Sequence, residues 1–147
     1  MFEEVFKLFD NAKKLSVSDA WLYSFDEDIQ EHFELLNLED QLYLQGIDSK
    51  GESLGQYSPF TEALKRSEGE RYQNITLKDT GAFYESYRIH VSRDSVTIFV
   101  DDTSLYDVPL TQTYGIDILG LTQENWDEIN LMLAEKILEY VKRTLFQ

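Results

Sequence analysis

The 147 residues are 42% apolar and include nine Phe, nine Tyr and two Trp, enough to build the core of one domain spanning 1–147. Twenty-eight acids stand against thirteen bases, a formal net charge of −15, which argues against binding nucleic acid through a basic groove. The absence of cysteine excludes disulfides, thiolate zinc sites and thiol catalysis, and fits a reducing cytoplasm.

No run approaches the roughly 20 apolar residues of a membrane span. The start, MFEEVFKLFD, is acidic and amphipathic rather than signal-like. Phe2, Val5, Phe6 and Phe9 fall at helical spacing and predict an amphipathic helix to about Leu15, with its phenylalanines in the core. Between Ser16 and Phe25 the pattern is mixed, and Ser18 or Asp19 offers a cap for a short turn. Asp26, Glu27 and Asp28 then place negative charge where a helix macrodipole favours it. Ile29, Phe33 and Leu36 continue as a stripe, and helix, with a break allowed for near Asn37, is expected to run through Leu38, Leu42 and Tyr43, ended by Gly46.

Asp48, Ser49, Gly51, Ser53 and Gly55 are turn formers in close succession. Ser58-Pro59 opens a short helix to Ser67, and Asp79 or Thr80 is placed to cap another around Ala82 to Tyr84. Alternation from Tyr87 to Val100 about an Arg93-Asp94 turn predicts a β-hairpin with one buried face. Two strands alone are marginal. A third is expected in Leu105–Val108 or Ile116–Leu119, unless the hairpin completes a sheet with a neighbouring subunit. Residues 101–113 read as an irregular polar connection. Thr122 caps the last helix, whose stripe runs through Trp126, Ile129, Leu133 and Ile137 to Leu145. The fold class is α+β: N-terminal helices, a central antiparallel hairpin or small sheet, and a long C-terminal amphipathic helix.

Gly51-Glu52-Ser53-Leu54-Gly55 spells G-x-S-x-G, the pattern of a hydrolase nucleophile elbow. An elbow needs a buried strand before the serine and a helix directly after it. Here polar turn residues precede Ser53, and Gly55 to Pro59 follow it. The two histidines, His32 and His90, lie on an acidic helix and on the outward face of the hairpin. The segment reads as a turn. As a calcium loop it also fails, with Lys50 third and Pro59 twelfth where oxygen ligands are needed. The acid clusters Asp26 to Asp28 and Asp101-Asp102 read as solvated or capping groups. Neither a phosphate loop nor a metal-ligand spacing appears, so no enzyme activity and no cofactor is expected.

Read in order, the central segments resemble one family. They are Asp48-x-x-Gly51-x-x-Leu54, then Tyr57-Ser58-Pro59-Phe60-Thr61 with Lys65, then Leu77-Lys78-Asp79-Thr80-Gly81-Ala82-Phe83 with Ser86, then Asp94-Ser95-Val96-Thr97-Ile98. Ile118-Leu119-Gly120-Leu121-Thr122 leads into the final helix. This order is similar to the virion morphogenesis, or tail-completion, proteins of tailed bacteriophages, over roughly Gln41 to Asn125. That family's "Y-A-x-x-H-x-x-G" strand and Arg-Pro segment are reduced here to Tyr114-Gly115.

The resemblance implies a non-enzymatic virion component, assembled in the bacterial cytoplasm. Copies would form a homo-oligomeric ring at the neck or tail end and meet other neck or tail proteins, without specific nucleic-acid or membrane binding. Gly46, Asp48, Gly51, Leu54, Thr80, Gly81 and Gly120 would be its structural turn residues. Tyr57, Phe60, Asp101, Asp102 and Tyr114 would be candidate subunit contacts. The acidic balance supports a second reading, a soluble interaction module that binds a basic protein.

Overall fold

The computed structural model describes residues 2–102 and 108–147. Helices α1 (Phe2–Ala12), α2 (Val17–Ser24) and α3 (Glu27–Leu35) open the chain. Helix α3 passes without a break into a π-helical segment, Leu36–Gln45. Short helices α4 (Pro59–Ser67) and α5 (Ala82–Ser86) precede strands β1 (Arg88–Val91) and β2 (Val96–Phe99). Then come α6 (Leu110–Tyr114), a 3-10 turn (Ile116–Ile118) and the 23-residue helix α7 (Gln123–Leu145). The α+β class and the long terminal helix stand as expected.

Local chemistry sets most boundaries. The Asp26 carboxylate accepts the Ile29 N–H at 3.1 Å and starts α3. Ser58 accepts from Thr61 N–H at 3.2 Å, with Pro59 at the first helical position. Thr122 accepts from Asn125 N–H at 3.3 Å and starts α7. Gly46, at φ +63°, ends the π-helical segment, where a left-handed residue suits glycine. Helix α2 is longer than the expected short turn, because its cap is Ser16, which accepts from Asp19 N–H at 3.3 Å. Gly81 holds the N-cap position of α5 with φ +86°, and Thr80, one residue before it, caps the helix's first residue: its Oγ1 accepts from Ala82 N–H at 3.3 Å.

The strands pair antiparallel, with Ile89 opposite Ile98 and Val91 opposite Val96. These four side chains form the inner face and join two apolar clusters. One holds Leu38, Leu42, Leu77, Phe83, Tyr87 and Ile118. The other holds Phe25, Ile29, Phe33, Leu121, Ile129 and Leu133, where Phe33 meets Trp126 edge-on at 5.4 Å. Trp21 Nε1–H donates to Ser92 O at 2.8 Å and ties α2 to the hairpin's tip.

Three expectations are corrected. Ile116–Leu119 is not a third strand: it forms the 3-10 turn, with Leu119 N–H donating to Ile116 O at 3.0 Å. The other candidate strand, Leu105–Val108, lies outside the described residues except for Val108, which is an exposed bend. Residues 101–113 are not irregular throughout, since α6 begins at Leu110.

The third correction is the largest. Phe2, Phe6 and Phe9 are not core residues; they are 74%, 65% and 63% exposed. Asn11 is the buried residue of α1, and its Nδ2–H donates to Leu145 O at 2.9 Å. Helix α1 therefore meets α7 through the side carrying Glu4, Leu8 and Asn11, about 160° around the helix from the phenylalanine stripe at 3.6 residues per turn. Periodicity reports an apolar face; what covers it is a separate matter.

Candidate functional site

The G-x-S-x-G segment is a tight loop closed by a bridge between Ile47 and Ser53. Asp48 organises it. Its Oδ1 accepts from the N–H groups of Lys50 and Glu52, each at 2.9 Å, and its own N–H donates to Glu52 O at 2.9 Å. Ser53 is exposed, and its Oγ accepts from Gly55 N–H at 3.1 Å. Gly51 and Gly55 lie at φ +78° and +98°. The half-buried Leu54 packs on the first cluster, and its N–H donates to Gly46 O at 2.8 Å.

This loop is pinned to the segment leading into α7. Ser49 N–H donates to Asp117 O at 2.8 Å, Lys50 pairs with Asp117 at 3.1 Å, and a side chain at Gly120 would meet Ser49 Cβ at 3.6 Å. The other side of the same segment rests on two buried amides. Asn37 Nδ2–H donates to Ile118 O and Gln41 Nε2–H to Gly120 O, both at 2.9 Å. Asn37 Oδ1 accepts from Gly120 N–H at 2.8 Å, and Gln41 Oε1 from Thr122 N–H at 2.9 Å. The side chains thus replace the strand partner that Ile118–Thr122 lacks, leaving the buried backbone satisfied. Sequence reasoning missed Asn37 and Gln41 as a pair, although two amides four apart in an apolar helical run were a visible signal.

The structure brings Tyr57 and Tyr114 together in a groove of about 290 Å³, walled by Leu64, Leu77, Lys65 and Lys78. Tyr57 OH accepts from Thr76 N–H at 3.1 Å, and the Lys65 ammonium lies 5.0 Å from its ring centre. Lys65 pairs with Glu70 at 3.0 Å. Burial opposes its charge most strongly, but the Glu70 hydrogen bond together with the charges of Glu70, Asp79 and Tyr57 outweighs it, so its pKa is raised. Phe60, on α4, is exposed. Asp102 turns inward instead: it is buried, and one oxygen accepts from Thr111 N–H at 3.0 Å and Thr111 Oγ1–H at 3.2 Å, at the start of α6. Asp101 is exposed, with its N–H donating to Ser86 Oγ at 3.1 Å.

A second groove, about 400 Å³, runs between α3 and α5 with Glu31, Glu34, Glu39 and Glu85 around Leu35 and Leu38. Sequence reasoning passed over it because its walls come from segments some fifty residues apart. Burial pushes the Glu34 carboxyl above its ordinary value; Arg88 opposes this and Glu31 reinforces it. His32 lies 3.4 Å from Glu128, and His90 is exposed on the hairpin's outer face. Among the described residues, no cluster of three or more His, Asp or Glu is placed to hold a metal ion. Nor is any described helix long and apolar enough to cross a membrane.

No protein-family model matches the chain, and neither a curated protein nor a solved structure matches it.

Proposed function

We propose that this chain is a non-enzymatic assembly component of a tailed-phage virion, whose copies close into a ring at the neck or at an end of the tail. The observation that carries self-assembly is the bare apolar stripe of α1. Three phenylalanines exposed by about two-thirds leave on the order of 400 Å² uncovered, taking a phenylalanine side chain as roughly 200 Å². A patch of that size matches the largest apolar patch of a typical monomer, which is often functional, and so supports an interaction site here. The two-stranded hairpin adds open backbone edges to the same reading.

The virion setting rests on the order of the segments from Gln41 to Asn125. Its physical support is that the Asp48 loop, the Leu77–Phe83 segment and the Ile118–Thr122 segment pack into one unit. Such a unit is a scaffold rather than a reaction centre. The test is to purify the protein, measure its molar mass and image the heaviest species. Ring-shaped particles with a central hole support the reading, and a protein that stays monomeric opposes it.

The alternative, an acidic module that binds a basic protein, is favoured by the α3–α5 groove. A monomer that captures a lysine-rich partner in a salt-sensitive manner would favour it over the ring.

A further inference from the structure

The molecule is electrically uneven. Residues 2–15 and 139–147 hold five of the thirteen Lys and Arg residues, namely Lys7, Lys13, Lys14, Lys142 and Arg143, against four carboxylates; Lys13 pairs with Asp10, and Arg143 lies over the Tyr23 ring. The Asn11–Leu145 hydrogen bond brings the C-terminal ends of α1 and α7 together, so these cations share one tip of the molecule. That tip is also apolar: Phe9 and Phe146 are exposed there.

The α3–α5 groove is its counterpart. Glu31, Glu34, Glu39 and Glu85 form the rim, and Leu35 and Leu38 the floor. A second depression, about 370 Å³, shares Glu31 and Glu34 and extends the groove to Glu27. Among the described residues, none of the four rim carboxylates takes part in an ion pair. Two cations border it: Lys78 lines the groove over the rings of Tyr43 and Tyr84, and Arg88, which donates to the carbonyls of Glu85 and Tyr87, also acts on Glu34, so the carboxylates outnumber the cations. An apolar floor inside a rim of net negative charge fits an apolar plug that carries positive charge.

We infer that the α3–α5 groove of one copy receives the α1–α7 tip of the next copy. The contact is heterologous, joining two different surfaces, so repeated docking generates a closed ring or an open filament. This inference rests on the reading of the chain as a self-assembling component and names the surfaces that reading needs.

Because the chain has no cysteine, an engineered pair reports the contact without background. Glu31→Cys with Lys142→Cys in one chain, mildly oxidised, is expected to give a ladder of covalent dimers, trimers and larger species. Each single variant is expected to give no ladder. A groove variant (Glu31→Lys, Glu34→Lys) and a tip variant (Lys13→Glu, Lys142→Glu) should each self-associate less alone, and mixing them should restore growth, since native tip meets native groove and reversed tip meets reversed groove. All four positions are exposed or half-buried, so the fold should tolerate these changes. No ladder from the double-cysteine chain overturns the inference, as does self-association unchanged in both charge variants. If rings still form while the ladder is absent, the surface assignment fails and the ring reading stands. Efficient dimerisation of the Lys142→Cys single variant also overturns it, because tips would then meet tips.

Discussion

Asn37 Oδ1 accepts two hydrogen bonds at once, from Tyr87 OH at 2.7 Å and from Gly120 N–H at 2.8 Å, with Asn37 and Tyr87 buried and Gly120 half-buried. One buried amide thereby joins the π-helical segment, the residue preceding β1 and the lead into α7. Asn37→Ala leaves the buried Tyr87 phenol and the buried Ile118 carbonyl without this partner, and the half-buried Gly120 N–H as well. The expected loss is about 2–6 kcal/mol in urea unfolding, from roughly 1–3 kcal/mol for each of the two buried groups. In the double variant Asn37→Ala/Tyr87→Phe the phenol is gone, so the loss should be smaller than the sum of the two single losses. Strict additivity would contradict the shared bond.

The loop at Asp48 makes a graded prediction. Ser53→Ala removes one exposed hydrogen bond and should change stability by no more than about 0.5 kcal/mol, with self-association unaffected. Gly51→Ala meets open space and bears only the left-handed backbone strain, about 1–2 kcal/mol. Gly46→Ala bears the same strain, and its new Cβ would also come within 2.8 Å of Asn74 Cβ. It should therefore be the most damaging of the three in thermal unfolding. A folded Ser53→Ala protein that had lost its function would contradict the turn reading.

Acid stability depends in part on Asp26 and Lys136, which pair across the start of α3 and the middle of α7. Burial raises the Asp26 pKa, but the hydrogen bonds from Lys136 and from Ile29 N–H outweigh it, and the pKa is lowered below its ordinary 3.8. A carboxylate with a depressed folded pKa stabilises the protein above its unfolded pKa. That contribution disappears as pH falls through the lower folded value. Lys136→Met removes the main cause of the depression, so circular dichroism during acid titration should show unfolding beginning at higher pH than in the parent chain. An unchanged acid profile would mean that the pair contributes nothing to folding.

Two buried phenols give the alkaline counterpart. Burial raises the pKa values of Tyr84 and Tyr87 far above the ordinary 10, because a phenolate there would be desolvated. A group whose folded pKa is raised favours the folded state below its unfolded pKa, and that stability is lost as pH rises from there towards the folded value. Ultraviolet titration should therefore show these two tyrosines ionising only together with alkaline unfolding. Ionisation of every tyrosine in a still-folded protein would contradict their burial.

What was legible in the sequence was what local chemistry controls. The helix starts near Asp26 and Ser58, the cap at Thr122, the stop at Gly46 and the hairpin about Arg93-Asp94 all follow from side chains a few residues apart. What was not legible depends on distant partners. Phe2, Phe6 and Phe9 have core spacing, but only the docking of α1 through Asn11 determines that the stripe faces outward. Ile116–Leu119 has strand-forming residues, yet Asn37 and Gln41, about eighty positions away, take the hydrogen bonds that a strand neighbour would have made. The acidic groove is assembled from α3 and α5 in the same way, and no single stretch of sequence displays it.

The bare stripe can be tested without disturbing the fold. Phe6→Ser and Phe9→Ser alter exposed side chains, so the thermal midpoint should hardly move. Sedimentation should nevertheless show weaker self-association, because removing two large apolar contacts at an interface costs several kcal/mol. A large drop in thermal midpoint would show that α1 is covered within a single copy.

The most direct test of self-assembly is the molar mass of the purified protein by light scattering over a wide concentration range, with negative-stain images of the heaviest fraction. A mass that is a fixed multiple of the 17.2 kDa chain, together with particles enclosing a central hole, is the predicted result. A mass of one chain at every concentration, with no ring in any fraction, would contradict it.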